Sequence, residues 1–471
     1  MESERSARVR EEALQARPNR VGSVVFLLAA GLFCLRQVSG FDVFWYLRAG
    51  DEMLGRQSLL GTDPFSYTSN RAWMNHEWLA EIIIALVHGA GGFPGLVVLQ
   101  ATMVVLALAL LMRQREPSPG LEHWPAWVGL TCAAVTLGLS AEPRAQLFSW
   151  VLFAATLGLC LADWQRPSWS LLGTVPIGVL WANLHGGNPT GAALLGVLFL
   201  ARPSVKRALA LAGTALATLA SPYGFDVHEH FLGAHTALPE IREWHNLGKA
   251  LALGSLPQWS ALLSTLAAAA CLGLRHRRGE PIRFELFALL LFAGVAALYA
   301  RFTWELSLVA AASLVRIPAA RPRPHLPRFL GLTAGLVLLA AASAAASRPL
   351  GFALDESRIP VGAVRFLDIR RPPGPMLNSY NFGGYLMWAY PREPVFIDSR
   401  AFMVYSEAHF RDLLRLYAEP RFFRALEKRW HFRLAVLQRA GRGAFFLAWL
   451  RAQKDWRVLY EDEVAVVLAR R

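Results

Sequence analysis

The sequence predicts an α-helical polytopic membrane protein of about eleven spans, closed by a C-terminal extracytoplasmic α/β domain. Three observations predict this class. Of 471 residues, 54% are hydrophobic and only 17% charged, with a mean hydropathy of +0.33, which is too apolar and too long for one soluble core. The apolar residues fall in successive runs close to the roughly 20 residues that a span needs. Beyond about residue 348 the pattern changes to short strand-like and amphipathic runs separated by turn signals.

The spans are expected at about 21–39, 93–112, 125–142, 146–162, 169–184, 188–201, 207–221, 257–274, 284–300, 302–316 and 328–347. The polar N-terminal stretch leads into an apolar run with no small-residue cleavage site, so that run reads as a retained first span. One run, LAEIIIALVHGAGG from Leu79, is short for a crossing and ends in glycines. If it lies flat at the interface and only 93–112 returns, the segments ARVREEALQARPNR, RQRE, DWQRP, RPSVKR, RHRRGEPIR and RIPAARPRPHLPR all fall on one side. The expected topology is therefore a multi-pass protein of the cytoplasmic membrane with its N-terminus inside and the tail outside. Residues 1–347 then form the membrane domain, with a first outer loop at 40–92, and residues 348–471 form the tail domain. The formal charge of +14 does not point to nucleic acid, because the arginines stand in short clusters between apolar runs. Cys34, Cys132, Cys160 and Cys271 lie inside apolar segments without ligand or redox spacing, and read as small core residues.

In this topology the outer face collects the polar chemistry: TDPFSYTSNRAWMNHEW (62–78), AEPRAQ (141–146), NLHGGN (183–188), the 221–246 loop and ARFTWE (300–305). Charged groups at a membrane boundary are costly enough to suggest a role. Within the tail, PMLNSY, EPVFID, RLAVLQ, WRVLYED and VAVVLAR read as strands, and EAHFRDLLRLYAE and RFFRALEKRW as helices. His228, Glu229, His230 and His235 have metal-ligand residue types but no strong ligand spacing.

Three local features stand in order: Asp42 just after the first span, HEWLAEIIIALVHG opening a short interfacial helix, and GGFPGLVVLQATMVVLALALLMRQR as the returning span. This order resembles the GT-C superfamily of integral membrane glycosyltransferases, which take a sugar from a polyprenyl-phosphate or polyprenyl-diphosphate carrier. The resemblance implies Asp42 as the catalytic acidic residue of the first outer loop, with Glu77 of NHEW or Asp63 of TDPFS as a second acidic position. Many members carry paired acids at the first position, whereas this chain has Asp42-Val43-Phe44, with Asp51 and Glu52 further on. A divalent cation, Mg or Mn, is an option that the missing pair weakens. The tail block NSYNFGGYLMW is loosely similar to the aromatic-Gly-Tyr block of oligosaccharyltransferase catalytic subunits.

The chemistry supports the same residues. Glycosyl transfer needs a base for the acceptor proton and cations for the leaving phosphate. Asp42 and Glu77 are the candidate catalytic carboxylates, and Arg144 and Arg301 the candidate phosphate ligands. His76, Asp63 and His185 are further substrate-contact candidates. Tyr380, Asn381, Asp398 and Arg400 are expected where the tail acts as a lid or acceptor platform. Each has a plainer reading beside it: Asp42 as the N-cap of a helix, His76 and Glu77 as helix anchors with Trp73 and Trp78 as belt aromatics, and the arginines as snorkelling side chains. In the catalytic reading Phe44, Trp45 and Tyr46 hold the short helix at the headgroup level and so position the Asp42 carboxylate. The expected partners are a polyprenyl-linked sugar donor and membrane lipid. Two other functions stand against transfer. A transporter or flippase would call for polar groups near the midplane and repeated halves, and a non-catalytic scaffold would have no use for the acidic grouping in the first loop.

Overall fold

The computed structural model describes residues 20–69, 71–114, 124–233, 245–317 and 330–471. In chain order the helices begin with α1 (Arg20–Cys34), α2 (Val43–Arg56), α3 (Trp78–Met112), α4 (Trp124–Ser140), α5 (Gln146–Gln165), α6 (Thr174–Leu184), α7 (Pro189–Ala201) and α8 (Val205–Ala217). Next come α9 (Asp226–Gly233), α10 (Leu247–Ala252), α11 (Leu256–Arg277), α12 (Arg283–Leu298), α13 (Thr303–Val315) and α14 (Leu330–Ala345). The tail runs α15 (Val361–Arg370), β1 (Met376–Asn378), α16 (Gly383–Ala389), α17 (Glu407–Ala418), α18 (Phe423–Trp430), β2 (Leu434–Gln438), α19 (Ala444–Arg451), β3 (Trp456–Glu461) and β4 (Ala465–Arg470).

Each apolar run expected to span is occupied by a helix: α1, the later part of α3, α4 to α8, and α11 to α14. Three of these helices, α3, α5 and α11, are long and apolar enough to cross a membrane. The others are 11 to 17 residues long. The decision to separate the Leu79 run from the returning span has a backbone counterpart. Within α3 the chain breaks at Gly92, with φ 59° and ψ −155°, a conformation open to glycine and costly for any other residue. Pro94 follows at once and cannot donate into the preceding turn.

Contacts divide the chain into two compact units. The first comprises Met1–Arg36, Val97–Ala141 and Ala145–Gly351. Here α4 packs on α11, α13 and α14 through small residues; a Cβ at Gly129 would lie 3.0 Å from Ala311 and Leu314 atoms, the close backbone approach that apolar helices use when no hydrophobic drive separates them from lipid. Basic segments that the sequence puts on one side meet in this unit. Arg207 donates to Asp163 at 2.7 Å, and Arg275 reaches Glu280 at 2.7 Å and Glu285 at 3.3 Å.

The second unit comprises Gln37–Leu96, Glu142–Arg144 and Phe352–Arg471. It groups the first loop, expected within the membrane domain, with a tail that begins at Phe352, close to the expected residue 348. Its sheet has the order β1-β2-β4-β3, with β1 parallel to β2 and the remaining pairs antiparallel. Met376 faces Leu434, and Leu434 faces Ala469. β2 and β4 are buried along nearly their whole length, as inner strands should be. The EPVFID segment, expected as a strand, does not join this sheet. Its Val395 bridges Ser66 of the first loop instead, and the Asn378 side chain accepts from Phe396 N at 2.8 Å while donating to Ile397 O at 2.7 Å. Side-chain amides here take over the bonding that a ladder would supply. In the NFGG segment Asn381 and Phe382 close a 3-10 turn and Gly383 and Gly384 open α16.

Candidate active site

Asp42 stands at the N-cap of α2 in a helical conformation, φ −72° and ψ −35°, and its side chain makes no capping hydrogen bond. Its carbonyl accepts from Trp45 N at 3.1 Å, so the helix starts without help from the carboxylate. The carboxylate instead accepts from Arg144 Nη1 at 3.4 Å, with the two side chains 32% and 19% exposed. Capping therefore does not account for an acid at this position. Arg144 arrives on the short Glu142–Arg144 segment that joins this unit, and the Glu142 carboxylate lies directly against Gly40.

Four residues after Asp42, one helical turn on and on the same face, the Tyr46 hydroxyl donates to Glu77 Oε2 at 2.5 Å. The other Glu77 oxygen lies 3.6 Å from His76 Nε2. Burial first, then the charge and hydrogen bond of Glu77 and the charge of Asp42, push the Tyr46 phenol well above its ordinary range, against a smaller opposing pull from Arg144. Tyr46 thus stays protonated and keeps donating. The NHEW turn that carries Glu77 is fixed by Asn75, whose amide donates to Glu81 Oε2 at 2.6 Å. Two carboxylates, a phenol, an imidazole and a guanidinium are gathered at the start of α2, with Asp42 and Arg144 partly open to solvent.

The aromatic neighbours of Asp42 do not lie where the sequence suggests. Phe44, Trp45 and Tyr46 are buried in protein rather than displayed at headgroup level. Phe44 packs edge-on against Tyr385 at 4.8 Å and against Trp388 at 5.7 Å, both on α16. The glycine pair of NFGG makes this possible: a Cβ at Gly384 would lie 2.7 Å from the Phe41 carbonyl oxygen, and one at Gly383 would collide with the Ile397 carbonyl.

The other candidates fall into separate groups. Arg400 donates to Asp63 at 2.8 and 3.1 Å and to Asp398 at 2.8 and 2.7 Å. All three side chains are fully buried, and the guanidinium also lies over the Trp73 ring at 4.7 Å. Tyr405 adds a hydrogen bond to Asp398 at 2.6 Å. Burial alone would raise the Asp398 carboxyl, but the charge and hydrogen bonds of Arg400 outweigh it and hold the group below its ordinary value. This knot faces the first loop but presents no solvent-open surface. Tyr380 and Asn381 are half-buried, with Tyr380 bonded to Ser399 O at 3.4 Å and Asn381 to Gln438 at 3.4 Å.

His185 and Arg301 belong to the first unit. Gly187 N donates to His185 Nδ1 at 3.2 Å, so the Ser149 hydroxyl, 2.7 Å away, donates there too, and Ser149 accepts from Trp181 Nε1 at 2.6 Å. His185 is thus held as a span-end hydrogen-bonding residue with its proton on Nε2. His235 and the His230 side chain lie outside the described residues. Among the described residues, no three His, Cys, Asp or Glu side chains form a group that could hold a metal ion.

Sequence reasoning missed the Tyr46 bond to Glu77 and the approach of Glu142 to Gly40. The Asp42–Tyr46 spacing carried the first signal; nothing local marked the second.

No protein-family model matches the chain, and no curated protein matches it in sequence. Among solved structures it is similar to ArnT from Cupriavidus metallidurans bound to undecaprenyl phosphate, at 13% identity and a TM-score of 0.53, over 95% of this chain and 97% of that one. At that identity the likeness is one of fold, and its near-complete coverage takes in both the helical region and the tail. The chain therefore shares the fold of that ArnT over nearly its whole length.

Proposed function

We propose that this protein is a membrane glycosyltransferase that moves a sugar from a polyprenyl-phosphate carrier to an acceptor hydroxyl, with inversion at the anomeric carbon. The observation that carries the reading is the Asp42–Arg144 pair at the start of α2, solvent-open and not used for capping, on a fold similar to that of a protein crystallised with undecaprenyl phosphate. Asp42 takes the acceptor proton as its oxygen attacks the anomeric carbon. The bond from that carbon to the phosphate oxygen breaks, and the lipid phosphate leaves with the electron pair. Arg144 turns from Asp42 toward the charge growing on the phosphate. Glu77, held by Tyr46 and His76, orients the acceptor or sugar hydroxyls. Asp63, Asp398 and Arg400 act from behind as a clamp between loop and tail, rather than as substrate contacts. The proposed orientation keeps the N-terminus cytoplasmic and the second unit outside, which the one-sided Arg clusters support.

The test is transfer of labelled sugar from a polyprenyl phosphate by purified protein, compared with Asp42→Asn at equal folded amount. Loss of about two to four orders of magnitude in kcat with an unchanged melting temperature is expected for a general base. Equal turnover by Asp42→Asn would remove Asp42 from the chemistry.

A further inference from the structure

A cavity of about 740 Å³ in the tail is lined by five arginines: Arg370 at the end of α15, Arg433 at the start of β2, Arg457 on β3, and Arg470 and Arg471 at the end of β4. It shares no lining residue with the cluster around Asp42. The sheet register explains the crowding, because Leu434, Ala469 and Arg457 are neighbours across three strands, and Arg470 N donates to Arg433 O at 2.9 Å. Like charges brought together around one space repel and cost stability unless something compensates them.

Carboxylates compensate several of the arginines elsewhere in this domain. Arg365, Arg411, Arg415, Arg424, Arg439 and Arg451 each have a carboxylate oxygen within 3.8 Å. Among the described residues, the carboxylates that meet the five around the cavity both meet Arg470: Glu427 at 3.8 Å and the charge of Asp455. The cavity also has an apolar side, formed by Phe366, Pro372 and Leu459. Its volume is in the range of small-molecule sites, roughly 300–1,000 Å³, and guanidinium groups match phosphate oxygens in pairs.

We propose that this cavity binds a ligand carrying at least two clustered phosphate groups, separately from the transfer site. The same chemistry is offered by a soluble or glycan-borne phosphate cluster and by the headgroups of an anionic membrane. The probe is inorganic tripolyphosphate, titrated calorimetrically into the full-length protein in phosphatidylcholine nanodiscs. Saturable binding to one site per chain is expected, weakening as salt is raised. The paired variant Arg433→Gln/Arg457→Gln should lose tenfold or more in affinity while melting like the parent. Arg439→Gln/Arg451→Gln, which removes the same charge away from the cavity, should bind as the parent does, and so should Asp42→Asn. Nanodiscs containing phosphatidylglycerol separate the sources: weaker tripolyphosphate binding by the parent there assigns the site to headgroups, and unchanged binding assigns it to a soluble or glycan-borne phosphate. No saturable binding in neutral nanodiscs, equal binding by the Arg433/Arg457 variant, or equal loss in the Arg439/Arg451 control would each overturn the proposal.

Discussion

Two Asp–Arg pairs tie the first loop to distant sequence within one unit, and they differ in every physical respect. Asp42 meets Arg144 through one 3.4 Å contact with both side chains partly exposed. Asp63 meets Arg400 through two shorter bonds, fully buried, with Asp398 closing the other side of the guanidinium. A dry pair of this kind is committed: removing one partner strands a buried charge, and no substrate can reach it. A long, partly exposed contact is worth less to stability and is more readily exchanged for a ligand's charge. The residue types are the same, so solvation and geometry suit one pair to architecture and the other to the proposed chemistry.

The sharpest way to break this contrast is Arg400→Met. It leaves Asp63 and Asp398 buried without their cation and should cost about 3–5 kcal/mol, read as a collapse of the folded fraction in size-exclusion chromatography and of the melting transition followed by tryptophan fluorescence. A melting temperature equal to that of the parent would mean that the buried pair is not a clamp.

Arg144→Gln should show the opposite profile. Turnover should fall by about 10²–10³, the effect of removing one charge-stabilising donor, with stability changed by no more than about 1 kcal/mol. Arg144→Lys should recover part of the rate, since a point charge replaces the fork. If Arg144→Gln unfolds the protein instead, the two pairs are alike after all.

A smaller effect is expected at Tyr46. Tyr46→Phe removes one donor from Glu77, a bond to a charged group worth about 1.5–3 kcal/mol, and should lower kcat about tenfold or more while Asp42-dependent activity persists. Unchanged kcat and KM would leave Glu77 as a helix anchor.

The least effect belongs to acid. Because the folded Asp398 carboxyl is held below its ordinary value of 3.8, its contribution to stability is complete above that value and is lost as pH falls through the lower, folded one. Melting temperature should therefore decline below about pH 4, and Asp398→Asn should flatten that decline after its own offset is subtracted. An equally steep acid limb in the variant would place the titration elsewhere.

What the sequence could and could not reveal follows from the range of the interactions. The apolar runs report burial residue by residue, so helices lie on every expected span, and the break at Gly92 is legible because glycine and proline act locally. The candidate acids were legible too, through their position after a span. Their partners were not: Arg144 is 102 residues from Asp42, and Arg400 is 337 from Asp63, and no local period encodes such a meeting. EPVFID shows the same limit. Its composition suits a strand, but Asn378 and Ser66 supply its hydrogen bonds, and neither is near it in the pattern that sequence reading uses.

The close approach of Gly384 to the Phe41 carbonyl also has a consequence in time. Asp42 lies among the first tenth of the chain to be synthesised, yet the surface that packs against its neighbour Phe44 comes from α16, far along the chain. Through most of translation Phe44 and Asp63 of the first loop are without their tail partners. Contacts of such long separation form late, so the unit that holds the candidate site is completed only after residues 352–471 have emerged. A nascent chain released before that point would carry Asp42 and lack the enclosure that fixes it, which ties the appearance of activity to completion of the polypeptide.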